Sequence, residues 1–352
     1  MPKPTHILVI RLSAMGDVAM TLPVLRVFSA TYPQVKITLV SKTFFKPLFT
    51  ELPNVHFFSA EVKSKHKGLK GLIKLARELN KEGVDGVADL HNVLRSKIIK
   101  TYFRLKNIPT AEIEKGRAEK RALTSKNNKR FIQLPTTVER YAKVFETLGF
   151  PVDLDQHQFP KRKELLPSLL PFIDSAYKTH IGIAPFAAFE GKMYPLDWME
   201  EVIQWFDATK EMQVFLFGGG KQETEKLQLL AEKYPCVMHI AGVLRFEEEL
   251  SLISNLDAML AMDSGNAHLA AIYNIPTVTL WGVTHPYAGF YPFNQPAENA
   301  LLADREKFPL IPTSIYGNKF PKDYEKAIQT ILPQAIIQKM VSVLEKNQKS
   351  HS

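Results

Sequence analysis

The residues with the clearest chemical potential stand in the last third of the chain, at Asp263-Ser264-Gly265-Asn266-Ala267-His268. Leu256-Asp257-Ala258-Met259-Leu260-Ala261, which reads as a buried strand, precedes them, and a short apolar stretch, Leu269 to Tyr273, follows. Strand, then hydroxyl and glycine, then helix start is the layout that cradles an anion. Free backbone N–H groups and the positive end of the helix dipole face the ligand. Ser264 adds a hydroxyl, Gly265 lets backbone approach closely, and His268 falls about one turn into the helix. The same residues also suit an ordinary N-cap with a core-facing histidine. A second constellation opens the chain. After the apolar run His6 to Ile10 come Arg11-Leu12-Ser13-Ala14-Met15-Gly16-Asp17. A carboxylate at the carboxyl edge of a first strand, where open α/β sheets hold ligands, can take a proton from a hydroxyl. It can equally be a helix cap.

Both constellations need strands that end at one edge and helices that start there. The spacing Val18, Leu22, Leu25, Phe28 predicts a helix from Val18 to about Ala30, with Pro23 early enough to be tolerated. Strands are expected at Val35–Val40, Val55–Phe58 and Val84–Leu90, with a helix face at Leu69, Leu72, Ile73, Ala76 and Leu79. Asn92 is the expected cap of a helix over Val93 to Phe103, followed by a polar, basic loop. Tyr141 to Leu148 reads as another helix, and the Pro- and Lys-rich passage Phe159 to Pro171 as the approach to a linker. The alternation restarts with a strand at His180–Pro185, a helix at Leu196–Thr209, a strand at Val214–Phe217 and a helix at Glu223–Tyr234. Strand Met238–Ile240 and helix Phe246–Asn255 follow, and the tail from Lys322 to about Lys346 reads as helical, interrupted by Pro333. Alternating strands and helices imply parallel sheets with helices on both faces.

The chain has 352 residues, enough for two domains, each with its own core. A single cysteine, Cys236, excludes an intramolecular disulfide and points to a reducing compartment. No apolar run approaches the length of a membrane span, and the N-terminus enters a strand without a signal-peptide core. The expectation is a cytoplasmic protein, with peripheral contact at the inner membrane as one reading. Net charge is +9, which favours anionic partners. The charge gathers at Lys63, Lys65, Lys67, Lys70 and Lys74, and again at Lys115, Arg117, Lys120, Arg121, Lys126, Lys129 and Arg130. Neither group interleaves with aromatics that would stack bases, so nucleic acid is not the expected partner. Solvated surface is the bland reading of both groups, and a basic rim facing an anionic glycolipid or its bilayer is the sharper one.

The two constellations together resemble the glycosyltransferase family of ADP-heptose:lipopolysaccharide heptosyltransferases. The residues that carry the resemblance are Ile10 to Asp17 with Thr21-Leu22-Pro23-Val24-Leu25, Asp263 to Ala271, and Thr279-Leu280-Trp281-Gly282-Val283-Thr284-His285-Pro286. It extends over most of the chain, from about residue 6 to residue 290. The resemblance implies a GT-B fold, two Rossmann-like doubly wound domains facing across a cleft. It implies inverting transfer from a nucleotide sugar, ADP-heptose, to an anionic lipid-linked saccharide, without the metal-binding Asp-x-Asp of other transferases. No cofactor and no metal are expected. The anticipated division is an acceptor-binding domain, 1–170, and a donor-binding domain, 171–320. The helical tail, 321–352, is then open to packing back on the first domain.

By the same resemblance Lys192, in Ala184 to Lys192, contacts a phosphate. Ala187 and Ala188 stand where the family often has Thr or Ser, and Tyr194 where it often has Trp, so backbone N–H groups would take over hydroxyl contacts. Glu223, soon after Gly218-Gly219-Gly220, corresponds to an acidic residue that holds the ribose, with Glu225 as the neighbouring choice. The Gly run lacks P-loop spacing and also suits a plain tight turn. Asp89-Leu90-His91-Asn92-Val93-Leu94-Arg95-Ser96 corresponds to the segment facing the acceptor, with Arg95 as the anion-pairing residue and His91 secondary. Expected roles are therefore Asp17 as general base and Lys192 stabilising the leaving group. Lys192, Glu223, Asp263, Ser264, Gly265 and His268 bind the donor, and Ser13, Gly16, Arg95, Arg117 and Arg121 the acceptor. Two rivals remain: a nucleotide-sugar epimerase of related fold, and a non-enzymatic binder of anionic surfaces or nucleic acid.

Overall fold

The computed structural model of the protein describes residues 3–351. The chain divides into two compact units, 1–115 with 135–158, and 116–134 with 159–352.

The first unit is built on β1 (His6–Ile10), β2 (Lys36–Ser41), β3 (Val55–Ser59), β4 (Gly86–Asp89) and β5 (Thr110–Glu112). All pair in parallel, in the order β3-β2-β1-β4-β5. Near-continuous apolar runs suit strands covered on both faces, and Ile7 to Ile10 are all fully buried. The covering helices are α1 (Met15–Ala19), α2 (Thr21–Thr31), α3 (Gly68–Lys81) and α4 (Leu94–Arg104). The helix expected from Val18 is two helices, broken at Met20. Pro23 sits in the first turn of α2 rather than inside one long helix, because its missing N–H and its ring are tolerated only there. The cap of α4 is Val93, whose N–H donates to Ser96 Oγ at 3.0 Å; Asn92 lies one residue earlier with φ +44. β5 lies within the stretch expected to be loop.

The expected basic loop also contains α5 (Arg117–Leu123), which belongs to the second unit. Leu123 is its buried anchor, and Lys129 Nζ donates to the carbonyls of Leu123, Leu310 and Pro312 at 2.8–2.9 Å. Three carbonyls around one ammonium tie this segment to the second unit, so it is more than the polar, basic loop its composition suggested. The first unit resumes with α6 (Thr137–Thr147), started by a reciprocal Thr136–Glu139 capping box.

The second sheet comprises β6 (Thr179–Ala184), β7 (Met212–Leu216), β8 (Val237–His239), β9 (Ala258–Met262), β10 (Thr277–Trp281) and β11 (Ala300–Leu302). It is parallel throughout, in the order β11-β10-β9-β6-β7-β8. Its helices are α7 (Leu196–Thr209), α8 (Lys221–Ala231), α9 (Phe246–Ile253), α10 (Gly265–Ala271) and α11 (Pro333–His351). Pro333 begins α11 instead of interrupting a longer helix, as its fixed φ favours at a first position. The tail packs on its own unit: Ile336, Ile337, Met340, Val343 and Leu344 join one core with Met199, Val202, Ile203 and Phe206 of α7. Each buried aliphatic side chain is worth roughly 1.5–3 kcal/mol, so these five fix the tail to the second unit. The boundary thus falls at 158/159 rather than 170/171, residues 116–134 cross to the second unit, and the tail is part of it. Among the described residues no single helix is long and apolar enough to cross a membrane.

Candidate functional site

Each unit carries one half of the anticipated chemistry, and in each the strand order gathers it. In the first sheet β2 lies on one side of β1 and β4 on the other, with Ile10 opposite Asp89. The two segments that follow these strands, Arg11–Asp17 and Leu90–Ser96, therefore leave adjacent strand ends. That is the topological switch point where open parallel sheets place ligands.

Asp17 lies in the first turn of α1, on the helix rather than in the turn before it, and Ser13 and Gly16 flank it, partly exposed. Arg11, buried at the end of β1, forms an ion pair with Asp17 Oδ2, and its Nη1 donates to the Leu90 carbonyl at 2.7 Å. The backbone N–H of Ala14 donates to the same carboxylate oxygen at 3.2 Å. Tyr141 Oη donates to the Asp17 carbonyl at 3.2 Å, and the Arg11 guanidinium lies 5.8 Å from the Tyr141 ring. Burial raises the Tyr141 phenol, which keeps it a neutral donor. Both partners of the carboxylate use Oδ2. Oδ1 has no donor among the described residues, and the side chain keeps 28% of its surface exposed. The carboxylate is thus fixed from one side and open on the other.

On the neighbouring strand end Asp89 is fully buried. Its Oδ1 accepts the N–H groups of His91 at 3.0 Å and Asn92 at 2.8 Å, and burial raises its carboxyl above the usual range. Asp89 therefore shapes the turn. Arg95 is exposed in the first turn of α4. Arg117 and Arg121, also expected beside the acceptor, are exposed on α5 in the second unit, so this list of anion-pairing residues divides between the units.

The second sheet repeats the arrangement. β6 lies between β7 and β9, with Ala184 opposite Ala261, so the loop after β6 and the loop after β9 leave adjacent strands. The first ends in Lys192 and the second carries Asp263-Ser264-Gly265. Lys192 Nζ lies 2.7 Å from Asp263 Oδ2 and donates to the Asp263 carbonyl at 3.2 Å; both side chains are largely buried. Thr284 Oγ1, after β10, donates to Asp263 Oδ2 at 3.0 Å. The lysine is positioned by close backbone packing. A Cβ on Gly191 would meet the Gly317 carbonyl at 2.6 Å, and a Cβ on Gly317, where φ is +76, would meet Lys192 Cγ at 2.6 Å. The Val283 N–H donates to the Gly191 carbonyl at 3.0 Å, which ties this loop to the end of β10.

Ser264 is the N-cap of α10, Gly265 its first residue, and His268 is buried within it. The Ser264 hydroxyl is buried and makes no hydrogen bond among the described residues. Glu223, in the first turn of α8, accepts the Gly219 N–H at 2.9 Å and so closes the glycine turn. Glu225 is exposed and pairs with Lys221 at 3.8 Å. Three residues of the site had no expected role: Arg11, Thr284 and Gly317. Arg11 and Thr284 stand inside the motifs, yet only side-chain geometry shows whom they orient. Gly317 has no local signal, because its partner is more than a hundred residues away.

Two parallel α/β units, each with its site at a switch point, define the GT-B class of glycosyltransferases. The family description glycosyltransferase family 9 (heptosyltransferase) matches residues 72–311, and the chain belongs to that family. It is 24% identical over 293 residues to the lipopolysaccharide core heptosyltransferase OpsX of Haemophilus influenzae, covering 80% of each chain. It is 27% identical over 300 residues to lipopolysaccharide heptosyltransferase 2 of Salmonella typhimurium, covering 80% of this chain and 83% of that protein. The solved E. coli ADP-heptose lps heptosyltransferase II superposes with a TM-score of 0.69 at 22% identity, covering 97% and 99%. A family 9 glycosyl transferase from Veillonella parvula superposes at 0.74 with 19% identity, covering 97% and 98%. The protein is therefore a glycosyltransferase.

Proposed function

We propose that the protein is an inverting transferase moving heptose from ADP-heptose to a saccharide of the lipopolysaccharide core. The observation that carries this reading is the gathering of the Asp17 block and the Lys192–Asp263 block at the switch points of a family 9 chain. Its relatives, named lipopolysaccharide heptosyltransferases, support the donor and acceptor class. Asp17 Oδ1 takes the proton of an acceptor hydroxyl while that oxygen attacks the anomeric carbon. The bond from that carbon to the diphosphate breaks on the opposite face, and configuration inverts. The departing ADP gains negative charge. Lys192, the Ser264 hydroxyl and the N–H groups opening α10 stabilise it, with His268 beside them. Asp263 and Thr284 hold Lys192 in place, Glu223 serves the ribose, and Ser13, Gly16 and Arg95 serve the acceptor. No metal ion is required in this scheme.

The test screens ADP-, UDP-, GDP- and CDP-sugars for protection against thermal unfolding, then follows transfer to core-truncated lipopolysaccharide. ADP-heptose at a hundred times its dissociation constant adds about 2.7 kcal/mol of stability. Protection by none of these sugars overturns the reading, and isomerisation of the donor without acceptor replaces it with the epimerase.

A lipid-linked acceptor also implies contact with the cytoplasmic face of the inner membrane. Of the basic residues on α5, Lys120 lies 4.2 Å from the Phe290 ring, whereas Arg117 and Arg121 are exposed. Cations near an anionic surface contribute about 1 kcal/mol each within a Debye length. Arg117→Glu with Arg121→Glu is expected to reduce sedimentation with anionic liposomes as raised salt does, leaving ADP affinity unchanged. Unchanged sedimentation returns α5 to plain solvated surface.

A further inference from the structure

His91, buried just after the strand end that neighbours β1, is a titratable group without a role in the proposed transfer. It leaves the end of β4 in the turn held by Asp89, whose carboxylate accepts its backbone N–H. The Leu12 N–H, one residue beyond Arg11, donates to His91 Nδ1 at 3.4 Å. A ring that accepts at Nδ1 carries its proton at Nε2 when neutral. Among the described residues no protein group takes Nε2, and the residue keeps 8% of its surface exposed. The charged groups that act on the ring are Arg11, Lys115 and Arg95, all cationic, and Asp17. Burial, then Arg11, pushes the imidazole down to about 3, so the ring is neutral near neutral pH.

The geometry points to His91 as an acceptor-binding residue, whose Nε2–H holds an oxygen of the acceptor sugar so that a neighbouring hydroxyl meets Asp17 Oδ1. This deepens the transferase reading and rests on it. The acceptor class is a polyhydroxylated sugar, because a neutral, fixed N–H aims at a hydroxyl or ring oxygen and adds no charge to a surround that already holds three cations. A charged imidazolium there would instead compete with Arg11 for the carboxylate. Asp17 would then be held on both oxygens and lose the open side that proton transfer needs.

Two variants separate donation from packing. His91→Phe keeps a planar ring without a donor. His91→Gln can still accept from Leu12 and donate with its amide. With core-truncated lipopolysaccharide as acceptor, His91→Phe is expected to raise the acceptor KM about tenfold or more, the range for a lost substrate hydrogen bond. His91→Gln should stay within about threefold of the native enzyme. ADP affinity needs no acceptor contact and should remain native in each variant. The acid limb of the pH profile of kcat/KM should keep its place in His91→Gln. An unchanged KM in His91→Phe overturns the inference, as does equal impairment of the two variants, which would mean packing. Parallel loss of ADP affinity would mean a structural role, and a moved acid limb would make His91 a titrating base. If the native enzyme transfers nothing to this acceptor, the transferase reading fails first and this inference with it.

Discussion

Asp17→Asn lowers turnover by roughly two orders of magnitude or more, the usual loss when a general base is removed. The substitution is nearly isosteric. An asparagine carbonyl can keep the Ala14 N–H and one Arg11 N–H, so the first turn of α1 should remain in place. What disappears is the capacity of the open side of the carboxylate to accept a proton as the acceptor oxygen attacks. ADP affinity should stay native, because Asp17 lies in the first unit and the Lys192–Asp263 pair in the second. Steady-state transfer beside calorimetry with ADP distinguishes the outcomes. Near-native turnover in a folded variant would remove Asp17 from the role of base.

Lys192→Met has the next largest expected effect, on ADP binding. The methionine keeps most of the alkyl stem that lies against Gly317 and removes only the charge. A charge-assisted hydrogen bond to a phosphate contributes about 1.5–3 kcal/mol, so affinity should fall roughly tenfold to a hundredfold. Asp263 is then left buried without its cation, which further disfavours an incoming diphosphate. Ser264→Ala should act in the same direction but less, by about 0.5–1.5 kcal/mol, since its hydroxyl is neutral. Gly317→Ala is the informative control. It keeps every charge, yet its new methyl would press on the Lys192 stem and its backbone is left-handed, so ADP affinity should drop while the lysine remains. Wild-type calorimetry for both Lys192→Met and Ser264→Ala would place the nucleotide elsewhere on the chain.

Much of the architecture is legible along the chain, because a buried parallel strand declares itself by a continuous apolar run and a covering helix by its period. His6–Ile10, Leu196–Thr209 and the strand-to-helix turn at Ser264 belong to this group. The misses share a cause. β5, Thr110–Glu112, is three residues without an apolar run, so nothing along the chain sets it above neighbouring loop. The basic stretch after Lys115 looks like solvent-exposed loop by composition. Lys129 nevertheless buries its ammonium among three carbonyls of the second unit, a compensation that depends on residues near 310. The tail reads as helix, but the unit it belongs to depends on which apolar face lies opposite Ile336 and Met340.

At the site the division follows the same physics. Local sequence determined which chemistry was present: a carboxylate after the first strand, a lysine after the sixth, and a hydroxyl and glycine at a helix start. These are properties of residue type and of the strand or helix each one flanks. Only the tertiary structure decided which of them meet. Strand order sets β4 beside β1 and β9 beside β6, and that order is settled by packing between segments 79 and 77 residues apart. It brings Asp89 and His91 to Arg11 and Asp17, and Asp263 to Lys192. The same packing gives Asp17 one restrained oxygen and one open oxygen, and presses Gly317 against the stem of Lys192. Distances of this kind arise from how remote segments fill space together, so no stretch of the chain read by itself contains them.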